Sequence, residues 1–303
     1  MKKVAILLST YNGERYIEEQ IESLLKQTYQ NIEIYIRDDG STDNTVAVLE
    51  QYRGMEHVHL FTGEGNLGYP QGFFALLDMN IEADYFGFCD QDDVWYPDKI
   101  ERAVNALDAK GQDKPVLFYA ACDYCDENLN FIKPSPKFSF QPEFRNSLFT
   151  CLALGYTMVM NKPAKELVTK RRAKKHLNKD EWMGMELSAF GELIYDSKPC
   201  AKYRRNPGSF SITRDNNFFS IQMERFKLYF RGDGFKQIHE WHEEFYEEFA
   251  DELSPEKRKE LEFFINKKYN IIRNLKKVCY PHRLRYSWGD ELLVRIMFLF
   301  GQI

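Results

Sequence analysis

Three carboxylates stand together in the chain, directly after a short run of apolar and aromatic residues. The run Tyr85–Cys89 has the length and composition of a buried strand, and Asp90, Asp92 and Asp93 follow it at once. Because like charges repel, such a cluster favours a divalent cation, and carboxylate oxygens suit Mg²⁺ or Mn²⁺. Aspartate is also a good N-cap, so the cluster alone leaves open a solvated loop that caps the next helix.

The segments around this cluster predict alternating strands and helices. Continuous apolar runs predict strands buried on both faces, and apolar residues at helical spacing follow each run. The predicted strands are 4–9, 32–36, 58–61, 85–89 and 116–121, and the predicted helices are 17–27, 44–52, 71–79 and 98–109. This order predicts an α/β fold with a mostly parallel sheet and right-handed crossovers.

Polar residues follow three of the predicted strands. They are Thr10-Tyr11-Asn12, Asp38-Asp39 and Asp90-Gln91-Asp92-Asp93. In open parallel sheets ligands bind outside the carboxyl ends of the strands, so the three groups should meet at one edge of the sheet. Capping alone does not explain this convergence, which predicts a site for a metal ion and a ligand.

The second half of the chain is more irregular. Its predicted elements are a proline-containing loop over 131–144, a strand over 155–160, a basic helix over 163–175, a helix from Asp180 toward Phe190, a strand over 191–195 and a loop over 203–209. After about residue 216 only helices are predicted, near 218–231, 236–252 and 255–279.

A change of charge marks the C-terminal part. No Asp or Glu occurs from Phe264 to Gly289, where basic and aromatic residues are interleaved, and Leu292 to Phe300 is almost wholly apolar. A basic, aromatic-rich segment beside an apolar one is typical of an interfacial membrane helix. A helix that packs on the body of the protein or on a second subunit explains the pattern equally well. Peripheral membrane contact and a homodimer are therefore both expectations for residues 264–303.

Composition narrows the classes of function. The 303-residue chain is 44% hydrophobic and carries a net charge of −5, which argues against a general nucleic-acid-binding protein. No stretch approaches the ~18 apolar residues of a spanning helix, and no N-terminal signal is visible. Six scattered cysteines indicate reduced thiols. We expect a cytoplasmic protein, free or held at the inner face of the plasma membrane.

Taken together, the polar segments resemble those of family 2 glycosyltransferases with the GT-A fold. The segments that match in order and spacing are Ser9-Thr10-Tyr11-Asn12, Gln27-Thr28-Tyr29, Asp38-Asp39-Gly40-Ser41-Thr42-Asp43, Asn66-Leu67-Gly68 and Gln91-Asp92-Asp93-Val94-Trp95. The resemblance covers residues 1 to about 125 well, and 150–210 more loosely. The form Asp-Gln-Asp-Asp-x-Trp resembles the branch described as rhamnosyltransferases of bacterial cell-surface polysaccharides.

The resemblance implies a domain organisation. Residues 1–215 would form the GT-A domain, with a nucleotide-sugar-binding half over 1–125 and an acceptor and catalytic-base half over 126–215. Residues 216–303 would form a helical C-terminal extension.

The resemblance also implies roles for the residues at the strand ends. Asp39 would accept a hydrogen bond from the pyrimidine N3–H, Asp92 would lie near the ribose, and Asp93 would bind Mn²⁺ or Mg²⁺, with Asp92 and Asp90 as further members of the metal site. The residues expected to bind the nucleotide sugar are Ser9, Thr10, Tyr11, Asn12, Asp38, Asp39, Asn66, Gly68, Asp92, Arg204 and Arg205.

The similar family motif His-Asp-Trp-Trp corresponds here to Lys179-Asp180-Glu181-Trp182. The resemblance makes Asp180 the expected general base, with Glu181 as the alternative. Both could instead be ordinary acids at a helix N-terminus, where the helix dipole favours them. Tyr203-Arg204-Arg205-Asn206 resembles a family segment near the diphosphate but lacks its histidine, so Arg204 or Arg205 could grip a phosphate.

The resemblance implies an inverting, metal-dependent transfer of a sugar to a hydroxyl of a growing polysaccharide or lipid-linked oligosaccharide. The expected donor is dTDP-L-rhamnose. A UDP-hexose is the alternative, because both bases offer the N3–H that Asp39 would read. Nucleotidyl transfer is disfavoured, since Ser9–Gly13 is not a Gly-rich, basic triphosphate loop. A non-catalytic scaffold that docks on membranes is disfavoured by the repelling acids.

Overall fold

The computed structural model describes residues 1–63, 65–174, 178–205, 233–265 and 269–303, with backbone alone for 233–237. Two compact units divide these residues. The first unit contains Met1–Ser135, Ala153–Arg172 and 178–205, and the second contains Pro136–Leu152, 173–174 and the described residues from Asp233 onward.

The strands fall into two sheets. They are β1 (Val4–Thr10), β2 (Ile32–Asp38), β3 (Val58–Thr62), β4 (Tyr85–Cys89), β5 (Val94–Trp95), β6 (Val116–Ala120), β7 (Asp123–Cys125), β8 (Phe131–Pro134), β9 (Val159–Asn161), β10 (Glu192–Asp196) and β11 (Ala201–Arg204). The larger sheet has the order β10-β6-β9-β4-β1-β2-β3 and the smaller has the order β5-β11-β7-β8.

The larger sheet is mostly parallel, which confirms the fold class predicted from the sequence. β1 pairs in parallel with β2 and β4, β2 with β3, and β6 with β10. β9 is the exception, since it runs antiparallel to both of its neighbours, β4 and β6.

The helices were largely foreseen from apolar periodicity. They are α1 (Ile17–Leu25), α2 (Thr45–Glu50), α3 (Gln71–Leu77), α4 (Lys99–Asp108), α5 (Phe144–Ser147), α6 (Lys162–Lys170), α7 (Lys179–Phe190), α8 (Asp233–Phe249), α9 (Pro255–Ile265), α10 (Ile271–Val278) and α11 (Trp288–Leu299). Side chains of Asn161 and Asn178 cap the first turns of α6 and α7 by accepting backbone N–H bonds.

Both faces of the larger sheet are covered, which explains the unbroken apolar composition of its strands. Ile6 and Leu8 of β1 belong to the same buried cluster as Ile21 of α1 and Ile100 of α4. On the opposite face the ring of Phe88 in β4 meets a ring from α3, with centroids 5.9 Å apart. These contacts fix the carboxyl ends of β1, β2 and β4 relative to one another.

Several predicted elements were wrong in detail. The predicted loop 131–144 begins with strand β8, and the predicted strand 155–160 is a 3₁₀ helix (Gly155–Thr157) followed by β9. The basic helix ends at Lys170, because Arg171 is extended and Arg172 pairs with Asp78. Tyr203 and Arg204, predicted in a loop, end strand β11. For β9 and β11 the reason is pairing with strands that are distant in the sequence, which outweighs local composition.

The C-terminal prediction is confirmed where the structure describes the chain. α8, α9, α10 and α11 are helices, although the single predicted helix 255–279 is two helices, α9 and α10, with 266–268 outside the described residues. The predicted helix 218–231 and the end of the predicted loop, 206–209, also lie outside them. In the described part of the chain, no helix is long and apolar enough to cross a membrane.

Candidate active site

The ends of β1, β2 and β4 lie side by side. The register pairs Thr10 with Asp38 and Leu8 with Cys89, so the residues that follow these strands meet at one edge of the first unit. This is the edge of the sheet at which the sequence predicted that the polar groups would meet, and we call it the rim.

Asp39 is buried and bonds to residues of β2 and of the next loop, and we call these surroundings the Asp39 pocket. Its carboxylate accepts a hydrogen bond from Arg37 Nη2 at 3.0 Å and another from the Gly68 backbone N–H at 2.7 Å. Ser9 lies beside it, because a Cβ added to Gly72 would stand 2.5 Å from Ser9 Oγ and 3.8 Å from the Asp39 carboxyl carbon. The absence of a side chain at Gly72 therefore keeps the start of α3 close to the Asp39 pocket.

Asp38 and Asn12 hold the loops themselves. The Asp38 carboxylate accepts the backbone N–H groups of Gly40 and Ser41 at 3.1 and 3.0 Å, and also the Ser41 hydroxyl. Asn12 Oδ1 accepts the Thr42 N–H at 2.8 Å. These bonds shape the turn after β2 and tie it to the turn after β1.

Gln91 joins the turn after β1 to the acidic loop. Its Oε1 accepts from Thr10 Oγ1 at 2.6 Å and from the Tyr11 N–H at 2.8 Å, and its Nε2 donates to the Tyr11 carbonyl at 3.2 Å. A Cβ on Gly13 would stand 2.5 Å from Gln91 Oε1, so the glycine permits this contact. Tyr11 itself stays exposed at the rim.

The three acids after β4 differ in environment. Asp90 and Asp92 are half-buried, whereas Asp93 is fully buried and accepts the Arg204 backbone N–H at 3.0 Å through Oδ1. Loss of hydration and the neighbouring carboxylates of Asp92 and Asp90 raise the pKa of Asp93 well above its usual value. Buried Lys99, whose own pKa is lowered by desolvation to about 8, partly offsets this effect.

Asp180 converges on the same rim from α7. Loss of hydration raises the pKa of Asp90 to about 7, Lys179 opposes the rise, and the carboxylates of Asp92 and Asp180 add to it. Lys179, which bonds to the Asp180 carboxylate, also lies 5.0 Å from the centroid of the Phe88 ring, so Asp180 lies near the end of β4. The residues of the acidic loop and of the predicted base are thus brought together, although Asp180 follows Asp90 by 90 positions.

The carboxylate of Asp180 is held on both oxygens. Oδ2 accepts the Gly155 N–H at 2.7 Å and Oδ1 accepts Lys179 Nζ at 2.5 Å. Lys179 is buried, with its ammonium 4.5 Å from the centroid of the Phe73 ring and 5.0 Å from that of Phe88. Glu181, the alternative base, is half-buried in the first turn of α7.

The two arginines predicted to grip phosphate lie in different surroundings. The guanidinium of Arg204 is buried and bonds to the Asp92 carbonyl at 2.8 Å, to the Glu127 carbonyl and to Glu19 Oε2 at 2.5 Å. It therefore ties β11 to the acidic loop. Arg205 is half-buried, and its guanidinium carbon lies 5.1 Å from the centroid of the Tyr124 ring.

The acid cluster fits a divalent cation only with help from a ligand. Asp93 Oδ2 is buried without a hydrogen-bond partner, which marks an oxygen whose bonding is incomplete. Among the described residues, however, no group of three or more His, Cys, Asp or Glu side chains is arranged to hold a metal ion. Mg²⁺ sites commonly use one or two carboxylates and complete their shell with substrate phosphates and water. Asp90 and Asp92 are the acids of the loop that are not fully buried.

Sequence reasoning missed three residues that shape this rim. Gln91 lies in a segment that matches the family but has no expected role, and Lys179 stands where the family motif has histidine. Gly155 carried no local signal, because its contact with Asp180 joins segments 25 positions apart. Their hydrogen bonds appear only once the strands are assembled.

Comparisons with known proteins identify the family of this chain. The family model described as glycosyl transferase family 2 matches residues 5–168. An uncharacterized glycosyltransferase of Rickettsia typhi is 34% identical over 139 residues, which is 45% of this chain and 42% of that protein. The dTDP-rhamnosyl transferase RfbG of Shigella flexneri is 40% identical over 110 residues, which is 33% of this chain and 36% of that protein. The chain thus spans less than half the length of these relatives.

Among solved structures, S. aureus TarS 1–349 in complex with UDP has a TM-score of 0.62 at 19% identity. The match covers 99% of this chain and 80% of that one, and it supports the fold. The family model covers more than half of the chain. The match to the family model shows that the chain belongs to glycosyl transferase family 2. With the parallel sheet and the acidic rim, the chain is a glycosyltransferase with the GT-A fold.

Proposed function

We propose that the protein transfers a sugar from a nucleotide sugar to a hydroxyl of a growing cell-surface polysaccharide or a lipid-linked oligosaccharide, with inversion at the anomeric carbon. The observation that carries the proposal is the position of Asp180 near the acidic loop, since its partner Lys179 lies against the ring of Phe88 in β4. A base and a diphosphate-binding acid cluster are needed on opposite sides of a reacting sugar.

The Asp39 pocket would hold the base of the nucleotide. Arg37 and the Gly68 N–H orient the Asp39 carboxylate, which would accept the pyrimidine N3–H. Gly72 leaves room for Ser9 beside it. Tyr11, Thr10, Asn12 and Asn66 belong to the loops that border this pocket, and we keep them as contacts of the nucleotide.

Asp90 and Asp92, with Asp93 beneath them, would hold Mn²⁺ or Mg²⁺ together with the donor diphosphate. When bound, the cation would act as a Lewis acid on the leaving phosphate oxygen. Burial gives Asp93 a further role, because its Oδ1 fixes the backbone of Arg204 against the acidic loop. The guanidinium of Arg204 is already bonded to the Asp92 carbonyl and to Glu19. Arg205 would therefore be the arginine available to a phosphate.

Asp180 would act as the general base. It would take the proton of the acceptor hydroxyl as that oxygen bonds to the anomeric carbon, and the electrons of the breaking bond would pass to the leaving diphosphate. The Gly155 N–H and Lys179 hold the carboxylate in one orientation. Glu181 remains the alternative base.

dTDP-L-rhamnose is the proposed donor. The partial likeness to a dTDP-rhamnosyl transferase supports it, together with the Asp-Gln-Asp-Asp-x-Trp segment. A UDP-linked sugar is the alternative, because TarS, which has the same fold, is seen in complex with UDP and with UDP-GlcNAc.

The membrane and a second copy of the chain remain proposed partners. Peripheral contact through residues 264–303 at the cytoplasmic face would bring a lipid-linked acceptor to the enzyme. A homodimer through the same residues is the alternative, and no nucleic-acid partner is proposed.

Thermal stabilisation by nucleotides, with and without Mn²⁺, tests the donor. A ligand that binds only the folded state raises apparent stability by about 2.7 kcal/mol at a hundredfold excess over its Kd. A metal-dependent rise in thermal stability with dTDP and dTDP-rhamnose supports the rhamnosyl proposal. A rise that occurs only with UDP or UDP-sugars would instead favour a UDP-linked sugar as the donor. If no nucleoside diphosphate stabilises the protein with metal present, the proposed site is wrong.

A further inference from the structure

On helix α10 of the second unit, the distribution of polar and apolar residues is the reverse of that on an ordinary surface helix. Its buried residues are polar, with Asn274 4% and Lys277 1% exposed, whereas Ile271, Ile272 and Leu275 are 50%, 65% and 46% exposed. A helix at a protein–water boundary normally has the reverse distribution. The apolar side of α10 therefore faces away from its own unit.

On the polar side of α10, the buried lysine is hydrogen-bonded inside its own unit. Lys277 Nζ donates to the Phe264 carbonyl at 3.0 Å, and desolvation lowers the pKa of this lysine to about 8. The ring of Tyr280, which follows the helix, meets those of Phe263 and Phe264, with centroids 5.8 and 5.2 Å away. Lys277 Nζ also lies 5.6 Å from the centroid of the Phe298 ring in α11. Contacts with both α9 and α11 therefore leave the aliphatic side of α10 exposed.

Helix α11 also carries exposed apolar residues. Trp288 and Leu292, one turn apart, are 74% and 62% exposed. At its other end Phe300 is exposed, and a Cβ on Gly301 would stand 3.1 Å from Asn274 Nδ2, so the end of α11 meets α10. We call the exposed residues Ile271, Ile272, Leu275, Trp288, Leu292 and Phe300 the apolar face.

The exposed charged side chains of the described stretch 269–303 are basic. Within the described stretch 269–303 the acids are Asp290 and Glu291, and both are buried. Glu291 accepts the backbone N–H groups of Leu284 and Arg285 at 2.8 Å and pairs with Arg295, so its charge is compensated inside the unit. Lys276, by contrast, is exposed next to Leu275.

We propose that the apolar face inserts into the headgroup and acyl boundary of an anionic lipid bilayer. Exposed aliphatic side chains would enter the boundary, Trp288 would lie at its polar edge, and Lys276 would meet anionic headgroups. Charge complementarity selects this partner over a second copy of the face, since two copies would bring their exposed lysines together. The inference concerns the second unit and does not depend on the transfer reaction.

Flotation of the full chain with vesicles tests the inference. Wild type is expected to float with phosphatidylcholine vesicles that contain about one third phosphatidylglycerol, more weakly with pure phosphatidylcholine, and less at about 0.5 M than at about 0.1 M salt. The double substitution Ile272→Asn with Leu275→Asn should lower the partition coefficient about tenfold or more, and Lys276→Glu should lower it on anionic vesicles alone.

Leu25→Asn and Lys26→Glu are the matched controls, because Leu25 is 40% exposed and Lys26 is exposed at the end of α1, in the other unit. Both should float like wild type, and all variants should keep their thermal unfolding. Failure of wild type to float, or equal flotation of all variants, overturns the inference. A dimer in light scattering that the double substitution converts to a monomer also overturns it, in favour of a second copy.

Discussion

At the scale of single residues, Gln91 has the clearest untested role. It accepts from Thr10 and donates to Tyr11, and so fixes the turn after β1 against the acidic loop. Each hydrogen bond of this kind contributes about 1 kcal/mol. A side chain of the same length that cannot form them should leave the strands intact and loosen the nucleotide-binding turn.

Gln91→Met is therefore expected to raise the KM for the donor about tenfold or more, with a smaller effect on kcat, because positioning of the nucleotide is lost. Steady-state kinetics and nucleotide-induced thermal shifts measure it. Gln30→Met is the control, since Gln30 also bonds backbone carbonyls but lies before β2. Unchanged donor KM in Gln91→Met would refute the positioning role.

The proposed general base, Asp180, gives the second prediction at this scale. Asp180→Asn should lower kcat by about 10²–10⁴-fold and leave donor binding nearly intact, because asparagine can still accept the Gly155 N–H but cannot take a proton. Transfer assays and nucleotide thermal shifts separate the two effects. Glu181→Gln is the matched variant, and a large loss there with a small loss in Asp180→Asn would move the base to Glu181.

At the scale of elements, the 3₁₀ helix before β9 sets the place of the base. A Cβ on Gly155 would meet Lys179 Nζ and would stand 2.7 Å from Asp180 Oδ1. Gly155→Ala should therefore displace the carboxylate and lower kcat about tenfold or more without lowering donor affinity. Gly65→Ala is the control, since its added methyl would meet no atom within 4 Å. Full activity in Gly155→Ala would show that the carboxylate adapts.

Helix α8 contains a buried histidine whose protonation should make the free energy of unfolding depend on pH. His242 is buried and its Nε2 lies 2.7 Å from the Leu148 carbonyl, and desolvation lowers its pKa from 6.5 to about 3. The unfolded chain therefore binds a proton below about pH 6.5 that the folded chain does not. The stability from neutral His242 is present above pH 6.5 and is lost as the pH falls toward 3.

Urea unfolding at about pH 7.5 and about pH 5.5 measures this loss. Wild type should lose about 1 kcal/mol more than His242→Gln between the two values, because each pKa unit of difference corresponds to about 1.4 kcal/mol. His282→Gln is the control, since His282 is exposed. An equal loss in wild type and His242→Gln would contradict the assignment.

Sequence patterns were informative about elements that form locally. β1, β2 and β4 were predicted because each is an apolar run of strand length, and α1 and α4 because apolar residues recur at helical spacing. β5, β7 and β11 were missed, since they have two to four residues and depend on pairings such as Ala201 with Trp95. No local period encodes such contacts.

The same limit applies to the site. The acids, Asp39 and Asp180 were identified by residue type, order and resemblance. The buried tie made by Arg204 was not, because its partners Glu19, Asp92 and Glu127 lie 185, 112 and 77 positions away. Burial of Asp93, which separates it from Asp90 and Asp92, likewise follows from assembly of the two sheets.

At the scale of the whole molecule, the reactivity of the cysteine thiols is a simple test of which cysteines are buried. Of the six cysteines, Cys279 is exposed, Cys151 is half-buried and the other four are buried. Native protein should react quickly with a thiol reagent at one site, and Cys279→Ser should remove that reaction, while denatured wild type should show all six thiols. Two or more fast thiols in the native protein would contradict this packing.

The position of β9 in the larger sheet has a consequence for synthesis of the chain. β4 and β6 are not neighbours, since β9, from residues 159–161, lies between them and pairs with both. A ribosome that has released only the first 125 residues has therefore made two strands whose inner edges have no partner. Unpaired edges invite wrong association, so the nascent chain needs about 35 further residues before its sheet can close. The strand that precedes the acidic loop thus gains its second neighbour only after β9 has been synthesised.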